Sequence, residues 1–324
     1  MNKFDTNDLE LKNFISEKEI IKEYNKIAEL PLYNKDDAAV LSDSVLQISL
    51  ENKDFACLQN EIDLNEEKIF SKRNILLSFK NLNSSMQLQK NLKGSSKETI
   101  NYLLNELKGE FREIIKDKNG NYFFSCLIKI CNKEQRSLII KELYNTISDD
   151  CLDEFANHSL QNLIEIASDE EEFKLLLSSF NDCNKIAMAT MNQYGTYVIC
   201  KLIQHIPEAI RVQFDLMFVK LICIFSRNKF GVYAVEKFIT YTKSDLVKKD
   251  FLNGIMSNFM NLAENEYGNY LIQFILNKWW NKKEGILIKK EIKNKFQILM
   301  QNQYSFYICK LYIRLLNNSK KMNL

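Results

Sequence analysis

Seven side chains stand at one recurring place along the chain: Met86, Tyr122, His158, Tyr197, Tyr233, Tyr270 and Tyr307. Six of the seven are flat rings, and a flat ring on a polar surface stacks on other flat groups, nucleobases above all, for about 1 to 3 kcal/mol each. Each is flanked by a residue one place before it and another three places after it. These flanking residues are Ser85 and Gln89, Asn121 and Ser125, Asn157 and Gln161, Thr196 and Cys200, Val232 and Glu236, and Asn269 and Gln273. The two members of a pair lie one helical turn apart and project in the same direction. Most carry donors or acceptors suited to the edge of a base. Rings at helical spacing are ordinarily core, but here the residues between the ring and the fifth place already supply an apolar face. The chemistry these residues suggest is recognition of unstacked nucleotides.

The elements that must position them form a repeat. Four of the eight glycines open near-identical strings, GNYFFS, GTYVIC, GVYAVE and GNYLIQ. In register with these stand SSMQLQ, ANHSLQ and SFYICK, so that seven units begin at Ser85, Asn121, Asn157, Thr196, Val232, Asn269 and Phe306 with spacings of 36, 36, 39, 36, 37 and 37. A period in this range signals a solenoid. The residue before each unit is small (Ser84, Gly120, Ala156, Gly195, Gly231, Gly268, Ser305), as a tight helix entry requires, and the fourth place is always apolar or Cys. In the fourth unit Val198, Ile199, Leu202, Ile203 and Ile206 share one side of a 3.6-residue helix, with Thr196, Tyr197 and Cys200 expected on the other. A short apolar stretch such as KIAMATM precedes each string and a longer amphipathic one such as EAIRVQFDLMFVKLI follows, predicting three helices per repeat. The expected fold is an all-α solenoid of about seven such repeats, stacked into a curved rod. The three extra residues between the third and fourth units are expected near the acidic run SDEEEF.

Composition agrees. With 8 glycines and 2 prolines in 324 residues the chain is short of turn formers, which argues against a many-stranded sandwich or barrel. Residues 1–67 hold 7 basic against 16 acidic side chains and read as an acidic, loosely ordered arm; residues 68–324 read as the repeat domain. Residues 183–324 hold 21 basic against 9 acidic side chains, a surplus that attracts polyanions. The eight cysteines form no C-x-x-C pair and only two histidines accompany them, so no metal and no cofactor is expected. No apolar run reaches the length of a membrane span, and the acidic N-terminus reads as intracellular. No catalytic residue is expected. The glycines sit singly at repeat joints rather than in a phosphate-cradling loop, acidic runs at helix ends are ordinarily solvated, and Cys200 and His205 lack an orienting third group.

Residues 71–324 resemble the Pumilio homology (PUF) family of single-stranded RNA-binding repeat proteins, most specifically through DKNGNYFFSCLIKIC, MNQYGTYVICKLI, SRNKFGVYAVEKFI and ENEYGNYLIQFIL. The resemblance implies a right-handed crescent of armadillo-like repeats. Its concave face would read about one base per repeat through two edge-contacting residues and one stacking residue, with the C-terminal repeats taking the 5′ bases. It implies that Asn269 and Gln273 with Tyr270 read uracil, Glu236 with Tyr233 reads guanine, Asn157 and Gln161 with His158 read uracil, and Ser85 with Gln89, beside Met86, reads adenine. The units at Asn121/Ser125 and Thr196/Cys200, which lack the usual glutamine, would be permissive. The implied site is 5′-U-G-x-U-x-A-3′. Phe306, Tyr307 and Lys310 fall in the C-terminal capping repeat. The expected function is sequence-selective binding of mRNA 3′ untranslated regions to control translation or mRNA stability in the cytoplasm, with protein co-regulators on the convex side. The alternatives are a nucleolar relative that binds structured RNA in ribosomal RNA maturation, and an armadillo-like scaffold that binds proteins.

Overall fold

Each predicted string becomes a helix for a reason visible three residues upstream of its small residue, where Asn or Asp stands in all seven units: Asn81, Asp117, Asp153, Asn192, Asn228, Asn265 and Asn302. In every unit the side-chain Oδ1 of this residue accepts two consecutive backbone N–H groups at the helix entry, for example those of Tyr194 and Gly195 from Asn192 at 2.8 and 3.0 Å. These bonds satisfy donors that the first turn of a helix leaves without intrahelical partners. The small residue answers a second constraint. A Cβ at Gly195 would come within 2.6 Å of the Ala189 carbonyl oxygen, and one at Gly268 within 2.5 Å of that of Leu262.

The structure, a computed structural model, describes residues 69–321, and the arm expected over residues 1–67 lies outside the described residues. The regular elements among these residues are all helices. The described chain divides into two compact units, residues 69–254 and 255–321.

The larger unit holds five repeats. The first comprises α1 (Lys72–Ser78), α2 (Leu82–Leu92) and α3 (Lys97–Glu106); the second α4 (Phe111–Lys116), α5 (Gly120–Ile130) and α6 (Lys133–Leu143). The third comprises α7 (Ile147–Asp150), α8 (Ala156–Ile166) and α9 (Glu170–Ser178), and the fourth α10 (Cys183–Thr190), α11 (Gly195–His205) and α12 (Val212–Lys220). The fifth comprises α13 (Ile222–Phe225), α14 (Gly231–Tyr241) and α15 (Asp245–Ser257), and the boundary between the units falls inside α15. The string helices α2, α5, α8, α11 and α14 pack each against the next, so equivalent places on them recur side by side.

The fourth-place column is the spine of the core. Leu88, Phe124, Leu160, Ile199 and Val235 are all buried, and the rings of Phe218 on α12, Phe225 on α13 and Phe238 on α14 meet with centroids 4.7 and 4.9 Å apart, joining the fourth repeat to the fifth. Such sharing is what makes a single repeat unable to bury its own surface. Two buried acids add polar ties. Asp150 receives Arg112 and Lys116 from α4, and Asp215 receives Arg211 and Thr242.

The three extra residues of the fourth unit do not bulge a loop at SDEEEF. In every other repeat of both units from the second onward the first helix begins 10 residues before the string's first place, whereas α10 begins 13 before it and has 8 residues against 4 to 6 elsewhere. The insertion is absorbed as most of one helical turn, which keeps its backbone hydrogen-bonded. The acidic run instead caps α9: the Asp169 side chain accepts from the Glu172 N–H, and three glutamates occupy the first turn, where the helix dipole favours negative charge.

The smaller unit holds α16 (Phe259–Ala263), α17 (Gly268–Lys278) and α18 (Lys283–Asn294), then α19 (Phe296–Leu299) and α20 (Phe306–Lys321), with α17 packed on α20. Its core is Leu271, Ile272, Ile275, Phe296, Leu299, Ile308 and Ile313. Trp280 closes one end, its ring edge-on to Tyr312 and its indole N–H donating to Ser319 Oγ at 2.8 Å.

Candidate nucleic-acid interface

The second place of each string is the one the fold turns outward. In the larger unit Met86, Tyr122, His158, Tyr197 and Tyr233 are all exposed, Tyr122 to 53%, on five helices that pack in succession. In the smaller unit Tyr270 and Tyr307 are half-buried, Tyr307 lying edge-on to Phe306 with ring centroids 5.7 Å apart. Lys237 lies 5.3 Å from the centroid of the Tyr233 ring, placing a cation beside one of the exposed faces.

The flanking pairs divide into two roles that spacing alone does not separate. The first place, expected to face outward with the ring, is corrected by the structure: Ser85, Asn121, Asn157, Thr196 and Asn269 are at most 3% exposed, and only Val232 and Phe306 are half-buried. These side chains are braces. Asn157 Nδ2 donates to the carbonyls of Asp153 and Glu154, Asn121 Nδ2 to those of Asp117 and Lys118, and Asn269 Nδ2 to those of Asn265 and Glu266, all between 2.7 and 3.0 Å. Where the first place is a hydroxyl residue it ties one repeat to the next, Ser85 donating to the Asn119 carbonyl and Thr196 to that of Phe230. Every one of these bonds falls on the entry loop of a string helix.

The fifth place is the half-exposed member. Gln89, Ser125, Gln161, Glu236 and Gln273 are all half-buried. Each glutamine donates one Nε2–H to the first-place oxygen of its own string: Gln89 to Ser85 Oγ at 3.2 Å, Gln161 to Asn157 Oδ1 at 3.0 Å and Gln273 to Asn269 Oδ1 at 2.9 Å. A glutamine so held keeps its carbonyl and second N–H out of that bond, one acceptor and one donor at fixed positions. Two fifth places depart. Cys200 is 7% exposed, and burial pushes its thiol up to about 12, so it is protonated at neutral pH and turned into the helix packing. Lys310 is likewise buried. The expectation that Thr196 and Cys200 share the outward face with Tyr197 is corrected accordingly, because α11 is packed by α8, α10 and α14 and, of these three residues, Tyr197 alone is exposed.

Near this face Glu165 on α8 and Lys201 on α11 pair at 2.8 Å, and the Lys201 partner holds the Glu165 carboxyl below its usual range. Burial lowers the His205 imidazole, with the Lys201 charge adding to the effect, which favours its neutral form.

The Asn/Asp column and the first-place braces escaped the sequence reading. The signal for the first was present, an Asx residue three places before every small residue. No signal distinguished the second, because buried and exposed asparagines look alike in a string.

A family model described as the Pumilio-family RNA binding repeat matches residues 110–144, 151–178, 190–214 and 258–279, segments that contain the strings at 121, 157, 196 and 269. Pumilio homologs 12 and 11 of Arabidopsis thaliana are each 22% identical to the chain, over 233 and 222 residues. The chain carries Pumilio-type repeats over these four segments and is similar to Pumilio proteins over about two thirds of its length, as a divergent relative. Those matches cover 69% and 67% of the chain but only 38% and 37% of the two relatives. Among solved structures, the RNA-binding domain of yeast Puf5p bound to SMX2 RNA superposes with a TM-score of 0.68 at 20% identity, covering 78% of this chain and 71% of that one. The Puf3 RNA binding domain bound to a Cox17 RNA 3′ UTR recognition sequence superposes with a TM-score of 0.61 at 20% identity, covering 76% and 71%. At this identity the likeness carries the fold: an all-α solenoid of three-helix Pumilio repeats.

Proposed function

We propose that the chain binds single-stranded RNA in a sequence-selective way, recognising a U-G-containing element of mRNA 3′ untranslated regions, and so controls translation or stability of messages in the cytoplasm. The observation that carries this reading is the exposed second-place column on successive packed helices, backed by fifth-place glutamines whose amides are held by buried braces. Each exposed ring offers a face for a base, and the amide beside it offers one donor and one acceptor, the pattern that complements uracil's N3–H and adjacent carbonyl. Glu236, when ionised, only accepts, and so suits guanine, which presents two donors on one edge. Taken from the last repeat to the first, and with Gln89 given the adenine that the family resemblance implies, the repeats then spell 5′-U-G-x-U-x-A-3′. The relatives of known structure bound to RNA add weight to this reading.

Affinity of the full chain for RNA containing UGUU, measured beside the same RNA with UG replaced by AC, tests it. A preference on the order of tenfold for the first is expected. Equal affinity at moderate salt would defeat sequence selectivity, and affinity that does not fall as salt rises would defeat nucleic-acid binding altogether.

A further inference from the structure

The second repeat has a serine where the third has a glutamine, and the residue that meets it comes from the neighbouring repeat. Asn162, at the sixth place of α8, donates from Nδ2 to Ser125 Oγ on α5 at 3.0 Å. Both side chains are half-buried, so the bond sits at the surface rather than in the core. Asn162 is also one helical turn beyond His158, hence on the same stripe of α8 as that exposed ring. Ser125 is too short to place a donor and an acceptor where Gln161 does. The Asn162 amide, anchored by one N–H to the serine, keeps its carbonyl and its other N–H out of that bond.

The same complement stands in the fourth repeat. Its fifth place, Cys200, is buried, and the sixth place of the following string helix is Lys237, half-buried and beside the exposed Tyr233 ring. By contrast, the sixth-place Lys201, which follows the braced Gln161, turns to Glu165 instead, and Cys126, which follows Gln89, donates its thiol to the Gln89 carbonyl. Of the sixth places that follow a glutamine, Cys126 is short and Lys201 is held by Glu165, whereas Asn162 and Lys237 follow the short fifth places.

We infer that the bases facing the second and fourth repeats are selected by residues of the repeat that follows, Asn162 and Lys237, rather than by Ser125 and Cys200. The second and fourth repeats, with Ser125 and Cys200 at the fifth place, are then selective, not permissive. Asn162 supplies a donor and an acceptor together; Lys237 supplies donors only and favours a base with a carbonyl on its edge, guanine or uracil. This inference rests on the RNA-binding reading given above.

The experiment uses the full chain and RNAs containing 5′-UGUUNA-3′, with each of the four bases at N. The unaltered protein is expected to favour one base at N by about tenfold. Asn162→Ala is expected to bring the four within about twofold while leaving the preference for guanine at the second base intact. Asn162→Asp, which presents acceptors only, is expected to move the preference at N toward guanine, and it decides the matter should Asn162→Ala fail to fold. An Asn162→Ala profile identical to that of the unaltered protein overturns the inference, as does an unaltered protein that selects guanine at the second base yet is indifferent at N. Failure to select even the second base overturns the RNA-sequence reading, and the inference falls with it. For Lys237, RNAs containing 5′-UGNUUA-3′ are expected to show guanine and uracil preferred at N, with the preference lost in Lys237→Met; retention of that preference in Lys237→Met overturns the second half of the inference.

Discussion

The third and fourth repeats lie next to one another in the larger unit, share a backbone plan, and solve it with different chemistry. In the third, Asn157 braces the entry loop through two carbonyls and in turn receives Gln161, so one asparagine links loop, helix and half-exposed amide. In the fourth, Thr196 donates to the Phe230 carbonyl of the next repeat, and the fifth place is a buried cysteine. The fourth also has the lengthened α10 and the Gly195 entry, where the third has the shorter α7 and Ala156. The difference teaches that the entry loop and the core are what a repeat must preserve. The polar residues on its outward side vary as long as each buried donor and acceptor is met.

Asp215→Ala should open the widest gap between the two repeats. It leaves Arg211, 3% exposed, without the carboxylate 2.8 Å from its Nε, and loss of one partner from a buried pair costs about 3 to 5 kcal/mol. A denaturant titration that showed a loss under about 1 kcal/mol would show that water or another group reaches the guanidinium. Gly195→Ala comes next, since the new Cβ would sit 2.6 Å from the Ala189 carbonyl; about 1 to 3 kcal/mol is expected from the forced backbone shift. An unchanged melting temperature would mean that the longer α10 yields where shorter first helices do not.

Asn157→Ala should cost about 1 to 3 kcal/mol because it strands buried loop carbonyls, and Thr196→Ala less, about 0.5 to 1.5 kcal/mol, because it removes one bond. The reverse order in paired thermal melts would refute the bracing role assigned to the first place. The smallest effect concerns acid. Burial alone would raise the Asp150 carboxyl, but its bonds to Arg112 and Lys116 more than offset this and leave it below the usual aspartate value. A depressed folded-state pKa contributes stability that is present above the unfolded value, near 3.9, and lost as pH falls through the folded one. The stability of the unaltered protein should therefore decline below about pH 4 more steeply than that of Asp150→Asn; parallel curves would dismiss the contribution of this carboxylate.

Much of this molecule can be read from periodicity. The seven strings, their small first residues, the apolar fourth column and the three-helix unit all follow from spacing, because a solenoid repeats the same local solution and recurrence separates signal from accident. The exposed rings of the larger unit follow too, being the one column left over once the apolar face is filled. Packing decided the rest. Asn157 and Gln161 are equally polar and equally spaced from the ring, yet one is enclosed against Asp153 and Glu154 while the other stays half-exposed. That outcome depends on how closely α8 is pressed by its own entry loop and by α5 and α11. The three extra residues could have entered any joint of the fourth unit, and helix hydrogen bonding placed them in α10. The bond from Asn162 to Ser125 joins residues 37 apart, and only the docking of one repeat on the next brings them together. Local pattern determined which elements form and which faces they bury; proximity between repeats determined which polar groups are spent inside and which remain to meet a ligand.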